Sequence, residues 1–582
     1  MLTSRRFRAL SVFAAGAALA LPLATGAPAQ AAAPVDLVGV QLLNINDFHG
    51  NLEPPSGSGG RALDDAGVVR DAGGAVYLAT HVKQLQADRA QEHSVMVAAG
   101  DLVGASPLVS ALFHDEPTIQ FLTSLGVFAS STGNHEYDEG IDELHRLQDG
   151  GCHPTDGCLD GDGFAGAGFT YLSANVTDEA GNLVMPAYAV KTLEPGLEIG
   201  FIGAPLQDTP SIVTASGVAG LKFTREVNGV NKAVKALRAR GVQLIVLMVH
   251  QGDNVLPGAL PNDCGLAKQP DGSDGPATVI AKKVSPEIDV VFAGHSHQAY
   301  NCTVDDPLGN PRPVVQGASF GRFVSEVDLQ IDRRTKEVRR DLTTADNHLV
   351  TRDVAPDPAA QALVERYKTL AAPIANRQVA TITGDLTRSP SPAGEQPLSD
   401  VIADAQLTAT DGVQEGGAVA AFMNPGGIRA DLTYAGSPAG EGDGVVTYGE
   451  AFTVQPFTNY LTTMTYTGAQ IDRVLEQQWD NPSGVKVLQV SNGFSYAWSA
   501  GAPVGSRVDP ASITIGGSTV DPDKTYRITV NSFLAGGGDG FSELARGKSP
   551  LVGAIDLDSF VGYGTEASPI APPAPDRITV LP

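Results

Sequence analysis

An α/β domain followed by an α+β domain, joined by a linker helix, is the architecture this chain predicts. Three observations carry that reading. Short apolar runs alternate with helix-like stretches through the first half, a proline-flanked helical segment then breaks the pattern, and the remainder is richer in Gly, Thr and Pro with short strands and turns. In order, "VGVQLLNI", "SVMVAAG", "VFASSTG", "LEIGFIGA", "VQLIVLMV" and "DVVFAG" are strand candidates of at least partly buried sheets, with patterns such as "VNKAVKALRARG" as helices between them. The stretch "APDPAAQALVERYKTLAAPIA" follows prolines and runs helically, so it reads as the linker helix. Beyond it, "SDVIADAQLTAT" and "TGAQIDRVLEQQW" read as helices, and "NPGGIR" and "LAGGGDGF" as turns. The expected boundaries are 1–33 for a leader, 34–345 for the first domain, 346–376 for the linker helix and 377–582 for the second domain. A chain of 582 residues is long enough for more than one core.

The first 33 residues read as a secretory signal. "MLTSRRFRAL" supplies the basic head, "SVFAAGAALALPLA" the apolar stretch and "APAQAAA" the small residues before cleavage near Ala31 to Ala33. The expected product is secreted and extracellular, without a membrane anchor. Losing Arg5, Arg6 and Arg8 with no acid takes the formal charge from −26 to −29. Such a surface repels nucleic-acid polymers and anionic membranes, and a small anionic substrate needs a strong local cation to approach it. Four cysteines in an exported chain read as disulfides, with Cys152–Cys158 and Cys264–Cys302 the simplest of three pairings.

Five strand candidates end in metal-ligand side chains. "LNINDFHG" places Asp47 and His49 two residues apart, on one side of an extended segment. The others end in Asp101, in Asn134 and His135, in His250, and in His295 and His297. In open α/β sheets, sites form at the carboxyl ends of strands, so these tips are positioned to converge. A lone His on an apolar run is ordinarily a core or surface residue, but here five of the eleven sit at strand tips beside Asp or Asn. Mixed carboxylate and imidazole ligands suit a pair of ions such as Zn or Mn, which together clamp both oxygens of a phosphoryl displacement.

The ordered blocks "NDFHG", Gly100-Asp101, "GNHEYD", "VHQG" and "GHSH" resemble the calcineurin-like metallophosphatases. With "NPGGIR" and "NSFLAGGGDGF" behind them, almost the whole mature chain resembles the secreted 5′-nucleotidase family. The resemblance implies a first domain of layered β-sheets flanked by helices and two divalent metal ions, Zn, Mn or similar. One ion falls to Asp47, His49, Asp101 and His297, the other to Asp101, Asn134, His250 and His295, with Asp101 bridging and a metal-held hydroxide as nucleophile. His135 is implied to face the phosphate, with Asp138 orienting it. The C-terminal residues implied to bind substrate are Asn424, Arg429, Phe457, Asn459, Phe533 and Asp539, with Arg388 matching one of two arginines that relatives carry a turn apart. Pro392 stands at the other arginine position and Ser399 where Gly is common, so the grip on phosphate departs from the family's.

The implied activity is release of phosphate from nucleoside 5′-monophosphates, with di- and triphosphates, UDP-sugars and 2′,3′-cyclic nucleotides as further substrates. The expected partner is a small nucleotide, with no nucleic-acid polymer and no obligatory protein. Metals in one domain and base-binding aromatics in the other imply rotation about the linker helix. The alternatives are a thiohydrolase of the sulfur-oxidation branch of the same fold and a surface-binding protein without turnover.

Overall fold

Two sets of parallel strands, with their carboxyl ends in step, organise the first domain. The computed structural model describes residues 36–581 apart from 90–92, 214–216, 270–271, 437–439, 458 and 482–483; the leader expected over 1–33 lies outside the described residues. In the first sheet, β1 (Leu37–Ile45), β2 (His93–Ala98), β3 (Val127–Ser131) and β4 (Thr170–Leu172) run parallel side by side. In the second, β5 (Leu197–Pro205), β6 (Leu244–His250), β7 (Val290–Ala293) and β8 (Pro311–Gly317) do the same in the order β8-β7-β6-β5. The chain then returns through β9 (Phe323–Asp332), antiparallel to β1.

The alternation of side chains sorts each strand into two cores. On β6, Leu244, Val246 and Met248 join Val40, Leu42, Val95 and Val97 of the first sheet in a core between the sheets. Ile245, Leu247 and Val249 face the other way, onto α3 (Glu226–Ala239) and α4 (Pro276–Lys283). Leu43 and Ile45 of β1 likewise meet α1 (Ala75–Asp88) and α2 (Glu116–Leu125). The layers are helix, sheet, sheet, helix. Strands covered on both faces read as unbroken apolar runs, which is why "VQLIVLMV" lacks polar alternation.

The linker helix α5 (Pro358–Ala375) starts at Asp357, whose carboxylate accepts from the backbone N–H of Ala359 and Ala360, both at 3.1 Å. Within the expected 346–376 segment, the residues up to Leu349 are instead a strand on β9. The helix buries Ala360, Val364, Tyr367 and Ala371 in the helix-side core of the first domain. Tyr367 Oη also donates to Asp160 at 2.8 Å. It is thus docked to that domain along its length, not suspended between two.

The second domain centres on β10 (Ala420–Met423), β11 (Tyr460–Thr467) and β12 (Thr525–Asn531), with β13 (Lys548–Ile555) at one edge. Helix α6 (Pro397–Thr408) covers one side with α8 (Asp556–Ala567). The other side carries α7 (Gly468–Glu476), entered through a capping box between Thr467 and Gln470. Both disulfides have the expected pairing, Cys152–Cys158 and Cys264–Cys302. No described helix is long and apolar enough to cross a membrane. Phe292 on β7 is fully buried between the sheets. Phe292→Ala is expected to lower stability by about 3–5 kcal/mol in urea unfolding followed by circular dichroism, and a loss under about 1 kcal/mol would show that this layer collapses without penalty.

Candidate active site

Strand register brings the ligand-bearing tips together. Ile45 lies beside Ala98 and Ala98 beside Ser130 in one sheet, and Val249 beside Ala293 in the other. The chain must turn sharply at these tips, and it does so on non-glycine residues. Asp47 (φ 51°), His49 (47°), Asp101 (50°), His295 (70°) and His297 (57°) all adopt the left-handed conformation. That conformation costs of order 1–3 kcal/mol per residue and persists only where the surroundings over-determine it. Here they do: the backbone N–H of Asp47 donates to Gly100 O and that of His49 to Asp101 O, both at 3.0 Å, while that of His295 donates to the Asp47 carboxylate at 2.9 Å.

The side chains form one cluster, buried except for His295 and His297, which are partly exposed. His49 Nε2 lies 3.2 Å from His297 Nε2 and 3.7 Å from Asp101 Oδ2, and His297 Nε2 lies 3.4 Å from Asp47 Oδ1. On the other side of Asp101, His250 Nε2 is 3.0 Å from the same carboxylate oxygen, and His295 Nδ1 is 3.0 Å from Asn134 Oδ1. Asp47, His49 and His297 converge within metal-ligand reach, as do Asp101, His250 and His295. All seven expected metal ligands are therefore gathered in one place, with Asp101 between the two groups.

The donor set fits divalent ions. Nδ1–H of His49 donates to Gly104 O at 2.8 Å and Nδ1–H of His250 to Ala99 O at 2.7 Å, so each ring turns Nε2 into the cluster. His250 Nε2 is buried and makes no aligned hydrogen bond. Burial holds the pKa values of His49 and His297 well below the ordinary imidazole range and pushes His295 down to about 3, which leaves neutral rings able to ligate. For His250, burial is outweighed by the facing Asp101 carboxylate, which lifts it to about 10. The place of that proton suits a cation. Gly100 (φ 88°) makes the close approach possible, since a Cβ there would come within 2.7 Å of His250 Nδ1.

Beside the cluster, His135 Nδ1–H donates to Asp138 Oδ2 at 2.7 Å, and the His135 backbone N–H donates to Asp101 Oδ1 at 2.9 Å. The His135 ring lies nearly parallel to Phe457 of the second domain, 20° between planes and 5.6 Å between centroids. The Arg429 guanidinium sits 5.8 Å from the same Phe457 ring. A cavity of about 450 Å³ opens here, walled by Asn134, His135, Asp138 and His295 on one side and by Asn424, Arg429, Phe457, Asn459, Phe533 and Asp539 on the other. Phe457 and Phe533 are half-buried at its wall, with Phe533 also packed against the second domain's core.

Arg388 does not line this cavity; it pairs with Asp431, Nε to Oδ1 at 3.2 Å, and its charge acts on Arg429. Pro392 is exposed, and Ser399 is buried with its hydroxyl on Gln396. Neither lines the cavity. Sequence reasoning passed over three contributors. Glu136 accepts backbone N–H groups from Asp101 and Leu102 at 3.0 and 2.8 Å and from Gly133, tying two strand tips to one buried carboxylate. Asn531 donates to Asn424 at 2.9 Å, and Lys486 pairs with Asp539 at 2.6 Å inside the cavity. Glu136 lay within the "GNHEYD" block; Lys486 carried no local signal.

This fold and site define a calcineurin-like phosphoesterase domain carrying a nucleotide-type second domain. The calcineurin-like phosphoesterase model matches residues 40–299 and the 5′-nucleotidase C-terminal domain model matches 378–546. A Listeria monocytogenes protein named "Cell wall protein Lmo0130" is 33% identical across 93% of this chain and 68% of its own length. A Bacillus subtilis protein named "Endonuclease YhcR" is 32% identical across 91% of this chain, which spans 40% of that protein. The crystal structure of a 5′-nucleotidase precursor from Thermus thermophilus superposes with a TM-score of 0.72 at 26% identity, over 93% of this chain and 99% of that one. The chain belongs to the 5′-nucleotidase family.

Replacing Glu136 with Ala releases three backbone donors at the ligand-bearing loops. The expected result is a roughly 10–100-fold weaker affinity for Mn²⁺ or Zn²⁺ by isothermal titration calorimetry, as is typical when a ligand's support is removed. Unchanged affinity would mean that the loops hold the ligands without it.

Proposed function

We propose that this protein is an exported, two-metal phosphohydrolase that converts nucleoside 5′-monophosphates to nucleoside and phosphate. One observation carries the reading: a single cavity joins the metal-ligand cluster to paired aromatic rings and a polar floor. A phosphate held against the cluster has Arg429 on its far side, while a planar base reaches Phe457 and Phe533, where stacking accepts any base. Asn424, Asn459 and Asp539 offer hydrogen-bond partners to the sugar and base edges. Bound divalent ions supply Lewis acidity to the phosphoryl oxygens and lower the pKa of an attacking water. His135 is placed to give its Nε2 proton to the leaving ribose oxygen, with Asp138 on Nδ1 fixing the ring's tautomer and direction.

Nucleoside di- and triphosphates, UDP-sugars and 2′,3′-cyclic nucleotides carry the same base and a phosphoryl group, and they extend the proposed range. The net charge of −26 favours a mononucleotide over a polymer. The basic and apolar leader over residues 1–33 and the two disulfides support export.

Phosphate release from AMP is expected to need added Mn²⁺ or Zn²⁺ after chelator treatment and to be abolished in Asp101→Asn. No release by the metal-loaded protein would overturn the monophosphate assignment. Phe457→Ala is expected to raise KM for AMP about 5- to 150-fold, because a base–aromatic stack contributes about 1–3 kcal/mol. An unchanged KM would place the base elsewhere.

A further inference from the structure

The loop from Ala318 to Arg322 joins β8 to β9 and clasps the ligand-bearing tips of two other strands. The backbone N–H of Phe320 donates to Asp47 O at 2.7 Å and that of Ala318 to Gln298 O at 2.9 Å. One loop is thereby tied both to the tip that carries Asp47 and His49 and to the tip that carries His297. Asn46 joins the clasp: its side-chain nitrogen donates to Ala318 O and to Asp47 Oδ2, and its oxygen accepts from the Gly317 N–H at 3.0 Å. The Phe320 ring meets both imidazoles at steep angles, with its centroid 5.9 Å from that of His49 at 66° between planes and 5.4 Å from that of His297 at 78°. On the two-metal reading above, we propose that Phe320 is a positioning residue for one ion of the pair, the one that falls to Asp47, His49 and His297, and that it sets the affinity for that ion without setting the affinity for the other.

A ligating imidazole binds well only if its ring is held, and the usual restraint is a hydrogen bond on the nitrogen that faces away from the ion. His49 and His250 have that restraint, each through Nδ1–H on a backbone carbonyl. His297 does not. Its Nε2 is placed against His49 and Asp47, but among the described residues no hydrogen bond fixes its Nδ1, and 26% of the side chain is exposed. Phe320 supplies the restraint by packing instead, in the edge-to-face manner that aromatic rings favour, and a ring so covered has less room to swing away from its ligating direction. The groups that fall to the other ion are fixed by different partners, His250 by Ala99 O and His295 by Asn134. Removing the Phe320 ring therefore loosens one half of the cluster.

The backbone shows what the position supplies. Ala318 (φ 53°) and Phe320 (φ 60°) both adopt the left-handed conformation, which a bulky side chain avoids and glycine enters freely. A glycine at 320 would make the same turn without strain, so the ring, not the turn, is what Phe320 adds. Arg322 holds that ring from the loop's other end. Its Nε and one terminal nitrogen donate to Ser319 O and Ser319 Oγ at 3.0 and 2.7 Å, the other terminal nitrogen donates to Arg61 O at 2.9 Å, and the guanidinium lies 5.6 Å from the Phe320 centroid. The ring is thus packed between a fixed cation and two metal-ligand imidazoles, and it is in place before an ion arrives.

The test measures each ion's affinity and does not depend on turnover. The full chain and its Phe320→Ala and Phe320→Gly variants are stripped with chelator, checked for folding by circular dichroism and titrated with Mn²⁺ by isothermal titration calorimetry. Phe320→Gly keeps the left-handed turn without strain, so it separates loss of the ring from a disturbed loop. Both variants are expected to bind one of two ions about 10–100-fold more weakly and the other within about threefold of the full chain. In a His297→Ala background, Phe320→Ala is expected to add little further loss, whereas in a His250→Ala background it adds the full loss, because the ring acts through His297. A full chain that binds a single ion would overturn the two-metal reading and this proposal with it. Two ions held as tightly by the folded variants as by the full chain, or both weakened alike, would overturn the proposal alone and leave Phe320 an ordinary packing residue.

Discussion

The approach of the Asp101 carboxylate to His250 Nε2, 3.0 Å apart and fully buried, is the contact on which the rest of the site depends. Asp101 ends a strand of the first sheet and His250 a strand of the second. Their meeting requires the two sheets to be stacked at one spacing and in one register. Burying a carboxylate costs several kcal/mol unless opposite charge answers it, so the pair also sets a demand for cations at this seam. The surrounding imidazoles, the Glu136 carboxylate on three backbone donors and the left-handed tips all serve that seam.

Local strain and global packing are coupled here. Five ligand residues occupy a backbone region that β-strands avoid, and a chain of modest stability tolerates this only where a rigid frame holds each turn. The frame is the core between the sheets, where Val40, Val97, Val246, Met248 and Phe292 interlock. Close packing at crystal-like density makes the ends of the strands stiff, and stiffness keeps ligands at fixed separations. The same apolar layer that stabilises the fold thus positions the chemistry.

The second domain contributes through proximity. Phe457 lies against His135, and Arg429 against Phe457, so the aromatic wall and the cluster form one cavity in this arrangement. Because α5 is packed into the first domain's core, any change in the separation of these walls must be absorbed beyond Ala375, not along the helix. The polar network from Asn531 through Asn424 and Asp539 to Lys486 is likewise satisfied before any ligand arrives, which is the condition for a rigid binding floor.

Much of this was legible from sequence for identifiable reasons. Strands buried on both faces declare themselves as unbroken apolar runs, so β1, β2, β3, β5, β6 and β7 were recoverable, and the residues directly after them named the cluster. Disulfide pairing followed from sequence proximity. Phe457 and Phe533 were legible only through resemblance, since a half-buried wall residue and a core residue share the same local pattern. Arg388 illustrates the limit: the motif around it suggested phosphate, but its pairing with Asp431 keeps it out of the cavity wall. Glu136 and Lys486 depend on partners 34 to 53 residues away. Local sequence determines which residues carry the chemistry, because strand periodicity and turn composition are local. Which of them meet, and how closely, is decided only by tertiary structure, because separations between ligands are set by sheet stacking and loop closure across the whole chain.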